Sequence, residues 1–187
     1  FPTDTAQTAP QGDFTRMAFN SLRDGNWEIY VARGDGTQAV NITNNPAYDV
    51  DPQLSPDGAQ VLFASDRDHA PTAAGVRTYN IYVAQVDGSN LRRLTTTNDS
   101  QERPIWSPDG GRIFFTMKRS GNVDIYSMRS DGGDLKRLTT NRADDYDVTI
   151  TPDGSAIFWA RTVTRTTARL MRANPDGSGA VDFTPAM

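Results

Sequence analysis

The sequence contains no cysteine and a single histidine, His69, among its 187 residues. Without cysteine the chain forms neither disulfide bonds nor thiolate metal sites. One histidine likewise excludes a metal site built from several imidazoles. The sequence also lacks a Gly-x-Ser-x-Gly nucleophile motif, a phosphate-binding loop and a dinucleotide-binding fingerprint. These absences favour a non-catalytic protein.

Long apolar runs and excess positive charge are also absent. No apolar stretch approaches the roughly 20 residues that a membrane-spanning helix requires. The formal net charge is −4, so no basic field attracts nucleic acid. Hydrophobic residues make up only 36% of the chain, which indicates much surface relative to core. We therefore expect neither membrane insertion nor nucleic-acid binding.

The opening residues, FPTDTAQTAP, are mostly polar or small, and the first residue is not methionine. This composition is typical of a sequence that follows a cleaved signal peptide. We expect the protein to be exported, to the periplasm or outside the cell.

Two turn motifs recur along the chain. One motif is Pro-Asp-Gly, which recurs at Pro56, Pro108 and Pro152 and has a degraded copy, Pro-Gln-Gly, at Pro10. A second motif, Asp-Gly, begins at Asp35, Asp87, Asp131 and Asp176. Both motifs repeat with a period of roughly 45 residues, which is typical of propeller blades. Pro-Asp-Gly suits a type I turn, and Asp-Gly suits the tight turn of a hairpin.

Short β-rich runs lie between these turns, and no window has a helical period. Each unit therefore predicts four antiparallel strands, A to D, with strand B apolar on both faces as in stacked blades. We predict an all-β fold, a β-propeller of four four-stranded blades forming one domain over residues 1–187. The predicted repeats span approximately residues 4–43, 52–95, 104–139 and 148–184. The alternatives are half of an eight-bladed ring built from two chains, or a fragment of a longer propeller, so we expect a monomer or a homodimer.

The third unit carries a family resemblance. It reads PIWSPDGGRIFF, then RSGNVDIY, then DGGDLKRLT, and it resembles the blade repeat of TolB-type β-propellers, a WD-repeat-like family. The second unit matches with an insertion, the first from strand B onward, and the fourth at both turns. The resemblance implies a propeller that acts as a periplasmic or secreted interaction module. It is specific to a fold and not to a function.

The sequence varies most at the end of the blades that holds the B–C and D–A connections. Each D–A connection ends in acidic residues, among them Asp49 and Asp51, Glu102, and Asp145 and Asp147. Because strand A borders the central channel of a propeller, we expect these carboxylates to gather at the channel mouth. Asp49, Glu102 and Asp145 are then candidate ligands for Ca²⁺ or Mg²⁺. The alternative is that the same side chains cap turns in contact with water.

The B–C connections supply the remaining candidates. Residues 66–80 form an insertion that contains Asp68 and His69, and residues 161–169 contain Arg165 among several threonines. Long loops on a rigid scaffold are frequent binding sites. Trp27 lies in a B–C hairpin and is a candidate contact residue, whereas Trp106 and Trp159 occupy predicted core positions.

Two B–C hairpins also suggest local ion pairs. An arginine stands five residues before an acid in Arg23–Glu28 and again in Arg119–Asp124. A hairpin is expected to place the two residues of each pair opposite one another.

Three functions remain open. The first is a non-catalytic scaffold that binds a protein or peptide on the B–C/D–A end, and the residues favour it. The second is a metal-assisted hydrolase or lyase of a sugar or lactone at the channel mouth. The third is an accessory propeller domain of a larger exported enzyme.

Overall fold

The computed structural model describes residues 16–185, which form fifteen β-strands and contain no helix. The strands make four antiparallel sheets, and strands consecutive in the chain are neighbours within each sheet. In the described part of the chain, no helix therefore has the length and apolar character needed to cross a membrane. The predicted all-β, four-bladed architecture is confirmed.

Each sheet is one blade. Blade 1 contains β1 (Arg16–Ser21), β2 (Glu28–Arg33) and β3 (Val40–Asn41). Blade 2 contains β4 (Asp49–Leu54), β5 (Gln60–Ser65), β6 (Asn80–Gln85) and β7 (Arg92–Arg93). Blade 3 contains β8 (Ser100–Trp106), β9 (Arg112–Arg119), β10 (Asn122–Arg129) and β11 (Lys136–Arg137). Blade 4 contains β12 (Asp145–Ile150), β13 (Ile157–Thr164), β14 (Thr167–Ala173) and β15 (Val181–Asp182).

These strands correspond to the predicted strands A to D in blades 2, 3 and 4. In blade 1, β1, β2 and β3 are strands B, C and D, and the predicted strand A falls before residue 16, outside the described residues. The A strands of neighbouring blades pack on one another, β4 on β8 and β8 on β12. Strand A is therefore the innermost strand of each blade.

The Pro-Asp-Gly motif forms the tight turn between strands A and B. In blade 3, the N–H of Gly110 donates to the carbonyl of Ser107 at 2.9 Å, and Gly110 takes a φ of 69°. The hydroxyl of Ser107 donates to the carboxylate of Asp109 at 2.5 Å, and the same carboxylate accepts the N–H of Gly111. Ser107, Asp109 and Gly110 thus each have a role within the turn itself.

The Asp-Gly turns between strands C and D contact the preceding blade. A Cβ atom added to Gly132 would lie 2.8 Å from the carbonyl oxygen of Leu94, and Gly88 and Gly177 approach the preceding blade as closely. A side chain at these positions would push neighbouring blades apart.

The core lies between consecutive blades. In β5 the alternating side chains face opposite neighbours: Phe63 packs towards blade 1 and Leu62 towards blade 3, and both are fully buried. Trp106 and Trp159 are 6% and 1% exposed, as their predicted core positions require. Aromatic pairs stack at 5.8–6.0 Å across strands B and C of blades 1 to 3. Strand B is therefore sandwiched between blades, which explains why it is apolar on both faces.

Blade 4 differs on the face directed away from blade 3. Leu170 and Phe183 are 39% and 52% exposed there, and Phe158 packs edge-on against Phe183 with ring centres 5.4 Å apart. The three core clusters of the described residues join blades 1 and 2, 2 and 3, and 3 and 4. Closure of the ring within one chain stays a prediction.

We expect Gly132→Ala to lower the free energy of unfolding by more than Gly36→Ala. Both glycines have a positive φ, 91° and 81°, but no atom lies within 4 Å of a Cβ at Gly36. Gly36→Ala is therefore the control, and its loss of stability measures backbone strain alone, about 1 kcal/mol. Gly132→Ala introduces the same strain and a steric clash with blade 2. Urea unfolding of both variants measures the difference; equal losses would show that the inter-blade contact contributes nothing.

A turn carboxylate also predicts a pH dependence. The Thr151 hydroxyl and the Ser155 N–H lower the pKa of Asp153 from 3.8 to about 2. Because the folded-state pKa lies below the unfolded value, this stabilisation is present above pH 3.8 and is lost as the pH falls through about 2. We expect the melting temperature of Asp153→Asn to fall less steeply over this interval than that of the wild type. If the melting temperatures of the two proteins fell equally with pH, the lowered pKa of Asp153 would be contradicted.

Candidate functional site

The B–C and D–A connections lie at the end of the blades opposite the Pro-Asp-Gly turns, as the antiparallel strand order requires. We call this end the loop face. Its B–C loops are residues 22–27, 66–79, 120–121 and 165–166, and its D–A loops are residues 42–48, 94–99 and 138–144. The candidate residues all lie in these loops or in the first three residues of strand A.

Hydrogen bonds at the start of strand C fix the D–A loops of blades 1 to 3. The hydroxyl oxygen of Thr95 accepts the N–H of Ile81 at 2.9 Å, and Thr139 accepts that of Ile125 at 3.0 Å. The Thr139 hydroxyl in turn donates to the buried carboxylate of Asp124. Polar side chains at these positions therefore hold strand D against strand C.

Asp49 and Asp145 begin strand A of blades 2 and 4, and both are fully buried. The guanidinium of Arg67 donates to Asp49 at 2.8 Å, and Arg161 donates to both oxygens of Asp145 at 2.7 and 2.9 Å. Burial raises the pKa of Asp49 despite the arginine beside it. A buried carboxylate needs such a partner. Asp49 therefore links strand A to the B–C loop of blade 2, and Asp145 links strands A and B of blade 4.

The three candidate metal ligands do not come together. Glu102 accepts a hydrogen bond from the Ser100 hydroxyl, while Asp49 and Asp145 bind their arginines. Within residues 16–185, no group of three histidine or acidic side chains is arranged to hold a metal ion. The calcium site stays a prediction, and Ca²⁺ titration of the melting temperature tests it.

A row of charged side chains runs along the innermost strands. Asp51, Arg103 and Asp147 occupy equivalent β-bulges of blades 2, 3 and 4, with φ of 55°, 53° and 56°. The carboxylate of Asp51 accepts the Arg103 N–H at 3.1 Å, and the guanidinium of Arg103 pairs with Asp147. A positive φ is uncommon for residues other than glycine and costs about 1–3 kcal/mol. The fold therefore holds three charged residues at positive φ on neighbouring blades, which strains Arg103 more than the two aspartates.

Two residues of this row are exposed, and Asp51 is half-buried. The side chains of Arg103 and Asp147 are 52% and 53% accessible although they pair with each other. The Arg103–Asp147 pair alone contributes little stability, because exposed ion pairs typically contribute 0–1 kcal/mol. Its accessible charges remain open to another molecule. We call Asp51, Arg103 and Asp147 the inner charged row.

Asp68 and His69 lie in the insertion of blade 2. Asp68 accepts a hydrogen bond from the Tyr82 hydroxyl and forms an ion pair with Arg93 at 2.9 Å. The side-chain amide of Asn80 lies 2.8 Å from Nε2 of His69. Both residues therefore contact strand C of their own blade and lie apart from the inner charged row.

The insertion is also anchored to the D–A loop before blade 2. The guanidinium of Arg77 pairs with the buried carboxylate of Asp66 and lies 3.4 Å above the ring of Tyr48. The N–H of Tyr48 donates to Asp66 at 2.7 Å. These contacts give the long loop a defined position.

Trp27 and Arg165 lie at separate places on the loop face. Trp27 is half-buried, and its carbonyl accepts the N–H of Asp49 at 2.9 Å, which ties blade 1 to blade 2. Arg165 is exposed in the turn between β13 and β14. Neither residue contacts the inner charged row in the described hydrogen bonds.

The two expected hairpin ion pairs are wrong. Glu28 faces Ser21 and Asp124 faces Met117, so neither acid lies opposite its arginine. Arg23 instead lies 4.3 Å above the ring of Tyr30, and Asp124 pairs with Arg137 of strand D at 2.7 Å. The strand register decides these partners.

Arg103 lies outside the acidic pattern that predicts the candidate residues of the D–A connections. A signal was present: Asp51, Arg103 and Asp147 each stand five residues before the proline of a Pro-Asp-Gly motif. Equal offsets from the repeat motif place residues at equivalent blade positions.

Comparisons with known proteins agree with this fold. A family model described as TolB beta propeller domain matches residues 72–186. The chain is 32% identical over 119 residues to the uncharacterized peptidase YuxL of Bacillus subtilis, in a match covering 59% of this chain and 16% of YuxL. It is 33% identical over 111 residues to the protein TolB homolog of Chlorobaculum tepidum, covering 59% of this chain and 24% of that protein.

A solved structure gives the same result. TolB from Acinetobacter baumannii superposes with a TM-score of 0.71 at 22% identity, covering 93% of this chain and 43% of that one. The chain thus spans less than half the length of each of these three proteins. Because the family model covers more than half of the chain, the chain belongs to the TolB β-propeller family.

Proposed function

We propose that this propeller is a non-catalytic scaffold that binds a protein or peptide on its loop face. The inner charged row is the observation that carries the proposal. Asp51, Arg103 and Asp147 are held at positive φ on three blades, and strained residues of this kind are concentrated at functional sites.

The chemistry of the row fits a polypeptide partner. Its charges alternate along neighbouring blades, and Arg103 contacts both acids. A partner with basic groups beside Asp51 and Asp147 and an acid beside Arg103 would complement all three. Complementary charge of this kind chiefly sets specificity and association rate. Export to the periplasm or outside the cell is part of the same proposal, supported by the similarity to TolB proteins.

A second candidate is an accessory propeller domain of a larger exported enzyme. It is supported by the similarity to YuxL, a protein named as a peptidase, of which the match covers only 16%. In that case the loop face would contact substrate or another domain. The metal-assisted hydrolase or lyase has no comparable support, and assays with sugars and lactones in Ca²⁺ or Mn²⁺ test it.

The scaffold proposal predicts that Arg103→Gln weakens peptide binding. Peptides are selected on the wild-type chain from a random phage-displayed library, and their dissociation constants are measured for each variant. We expect Arg103→Gln to raise the dissociation constant about tenfold, equivalent to about 1.4 kcal/mol. The expected cause is loss of the guanidinium from the row.

Arg129→Gln is the matched control. Arg129 is also exposed and also pairs with an aspartate, Asp131, at 3.1 Å, but it lies at the opposite end of blade 3. Its dissociation constants should equal those of the wild type. Binding on the loop face would be contradicted if the two substitutions changed the dissociation constants equally, or if neither substitution changed them.

A further inference from the structure

Blades 1 to 3 share a polar junction between strands C and D at the loop face. In each blade a strand C tyrosine stands opposite a hydrogen-bond donor of strand D: Tyr30 and Asn41, Tyr82 and Arg93, and Tyr126 and Arg137. Since the three pairs have the same register, they direct donors to the same place in each blade.

A carboxylate from the B–C loop occupies that place in blades 1 and 2. Asp24 accepts hydrogen bonds from the Tyr30 hydroxyl and from Asn41, the latter at 2.8 Å. These bonds lower the pKa of Asp24, with Tyr30 contributing most. In blade 2, Asp68 accepts a hydrogen bond from the Tyr82 hydroxyl and forms an ion pair with Nη1 of Arg93. The protein thus contains two examples of how this junction binds a carboxylate.

Blade 3 keeps the donors and lacks the carboxylate. Its hairpin reads Arg-Ser-Gly-Asn where that of blade 1 reads Arg-Asp-Gly-Asn, so Ser120 replaces the aspartate. The hairpin closes in a two-residue turn with Ser120 at a φ of 52°. A cavity of about 440 Å³ lies beside it, lined by Arg119, Ser120, Asn122, Asp124, Tyr126, Leu135 and Arg137.

The hydrogen bonds of Arg137 show which donor is available. Its Nε donates to the carbonyl of Thr139 at 2.8 Å, as Arg93 Nε does to Thr95. Its Nη2 donates to the Asp124 carboxylate, as that of Arg93 does to Asn80. Nη1 of Arg93 forms an ion pair with Asp68 at 2.9 Å, whereas the only ion pair of Arg137 among residues 16–185 is made by its Nη2 with Asp124. Equivalent hydrogen bonds from Nε and Nη2 therefore position the guanidinium groups of Arg93 and Arg137. The third nitrogen of Arg137, Nη1, takes part in neither of these bonds.

The remaining groups around the cavity favour an anion. The hydroxyl of Tyr126 has no hydrogen-bond partner among the described residues, unlike those of Tyr30 and Tyr82. Arg119 adds a second guanidinium, 66% exposed and 3.6 Å from the carboxylate of Asp99. The one carboxylate of the lining, Asp124, already accepts from Arg137 and Asn122.

We propose that the cavity of blade 3 binds a carboxylate supplied by another molecule, held by Arg137 Nη1 and the Tyr126 hydroxyl. The inference rests on the proposed scaffold function and gives the partner a chemical feature, an acidic side chain or a carboxyl terminus. Bonds from a guanidinium and a phenol to one carboxylate are charge-assisted and directional. The bound group would take the place that Asp24 and Asp68 take in the other blades.

Acetate is the first probe. The 187-residue chain is titrated at constant ionic strength with chloride as the reference anion, and the arginine side-chain signals are followed by NMR. We expect a saturable shift of the Arg137 signal with acetate and none with chloride. Tyr126→Phe keeps the ring and should weaken the response about tenfold by removing the hydroxyl.

Two reciprocal variants isolate the cavity. Ser120→Asp supplies the carboxylate within the chain, and aspartate tolerates the positive φ, so the acetate response should disappear. Asp68→Ser opens the equivalent place in blade 2 and should add a response at Arg93. An unshifted Arg137 signal, or a full response in Ser120→Asp, would overturn the inference.

Peptides then identify the source of the carboxylate. One amidated peptide carries an internal aspartate, a second carries asparagine there, and a third is the asparagine peptide with a free carboxyl terminus. Competition with acetate by the first peptide assigns a side chain, and competition by the third assigns a chain terminus. If neither competes, the cavity takes only small carboxylates, and its link to a partner is wrong. Library peptides that still depend on Arg103 and bind Ser120→Asp normally would leave the scaffold proposal intact.

Discussion

Face-to-face burial between consecutive sheets is the interaction on which the rest of this structure depends. Leu62 and Phe63 are neighbours in one strand and lie in different cores, so neither core forms unless two blades pack together. Each fully buried side chain of this size contributes about 1.5–3 kcal/mol. The close approach of Gly132 to Leu94 exists only because that packing leaves no room for a side chain. A blade alone would expose two apolar faces, so the repeats are stable only as an array.

This packing frees the loop face for variation. The turns at the other end are constrained by their own hydrogen bonds and by contact with the preceding blade. The B–C loops instead vary in length, from residues 120–121 in blade 3 to residues 66–79 in blade 2. Equivalent positions then carry different chemistry. Asp51, Arg103 and Asp147 place charges of alternating sign on neighbouring strands, and Asp24, Asp68 and Ser120 leave one junction of three without its carboxylate. Equivalent positions of the blades can therefore be compared with one another, and a group that is absent from one blade is recognised because the other blades contain it.

The site was only partly predictable from sequence. Asp51, Asp68 and Asp147 were correctly placed at the loop face, since the strand order fixes which connections share an end. The expected cluster of Asp49, Glu102 and Asp145 does not form. Asp49 and Asp145 instead bind arginines of their own blades, Arg67 and Arg161. Arg67 follows strand B of blade 2, and Arg161 lies in strand B of blade 4. They are 18 and 16 residues away in the chain from the aspartates that they bind, and the pattern of hydrophobic residues does not indicate such pairs.

The sequence by itself determined the repeat period, the turns, the strands and hence the four-bladed fold. These features depend on local backbone preferences and on the alternation of apolar residues, which are written in short stretches of chain. Tertiary structure decided which charges are buried, paired or exposed. Arg103 reaches Asp147 across blades, and Arg137 presents an unused donor because strand register and blade packing set its surroundings. Electrostatic partners act through space over a few ångströms, so their identity depends on how the blades are stacked.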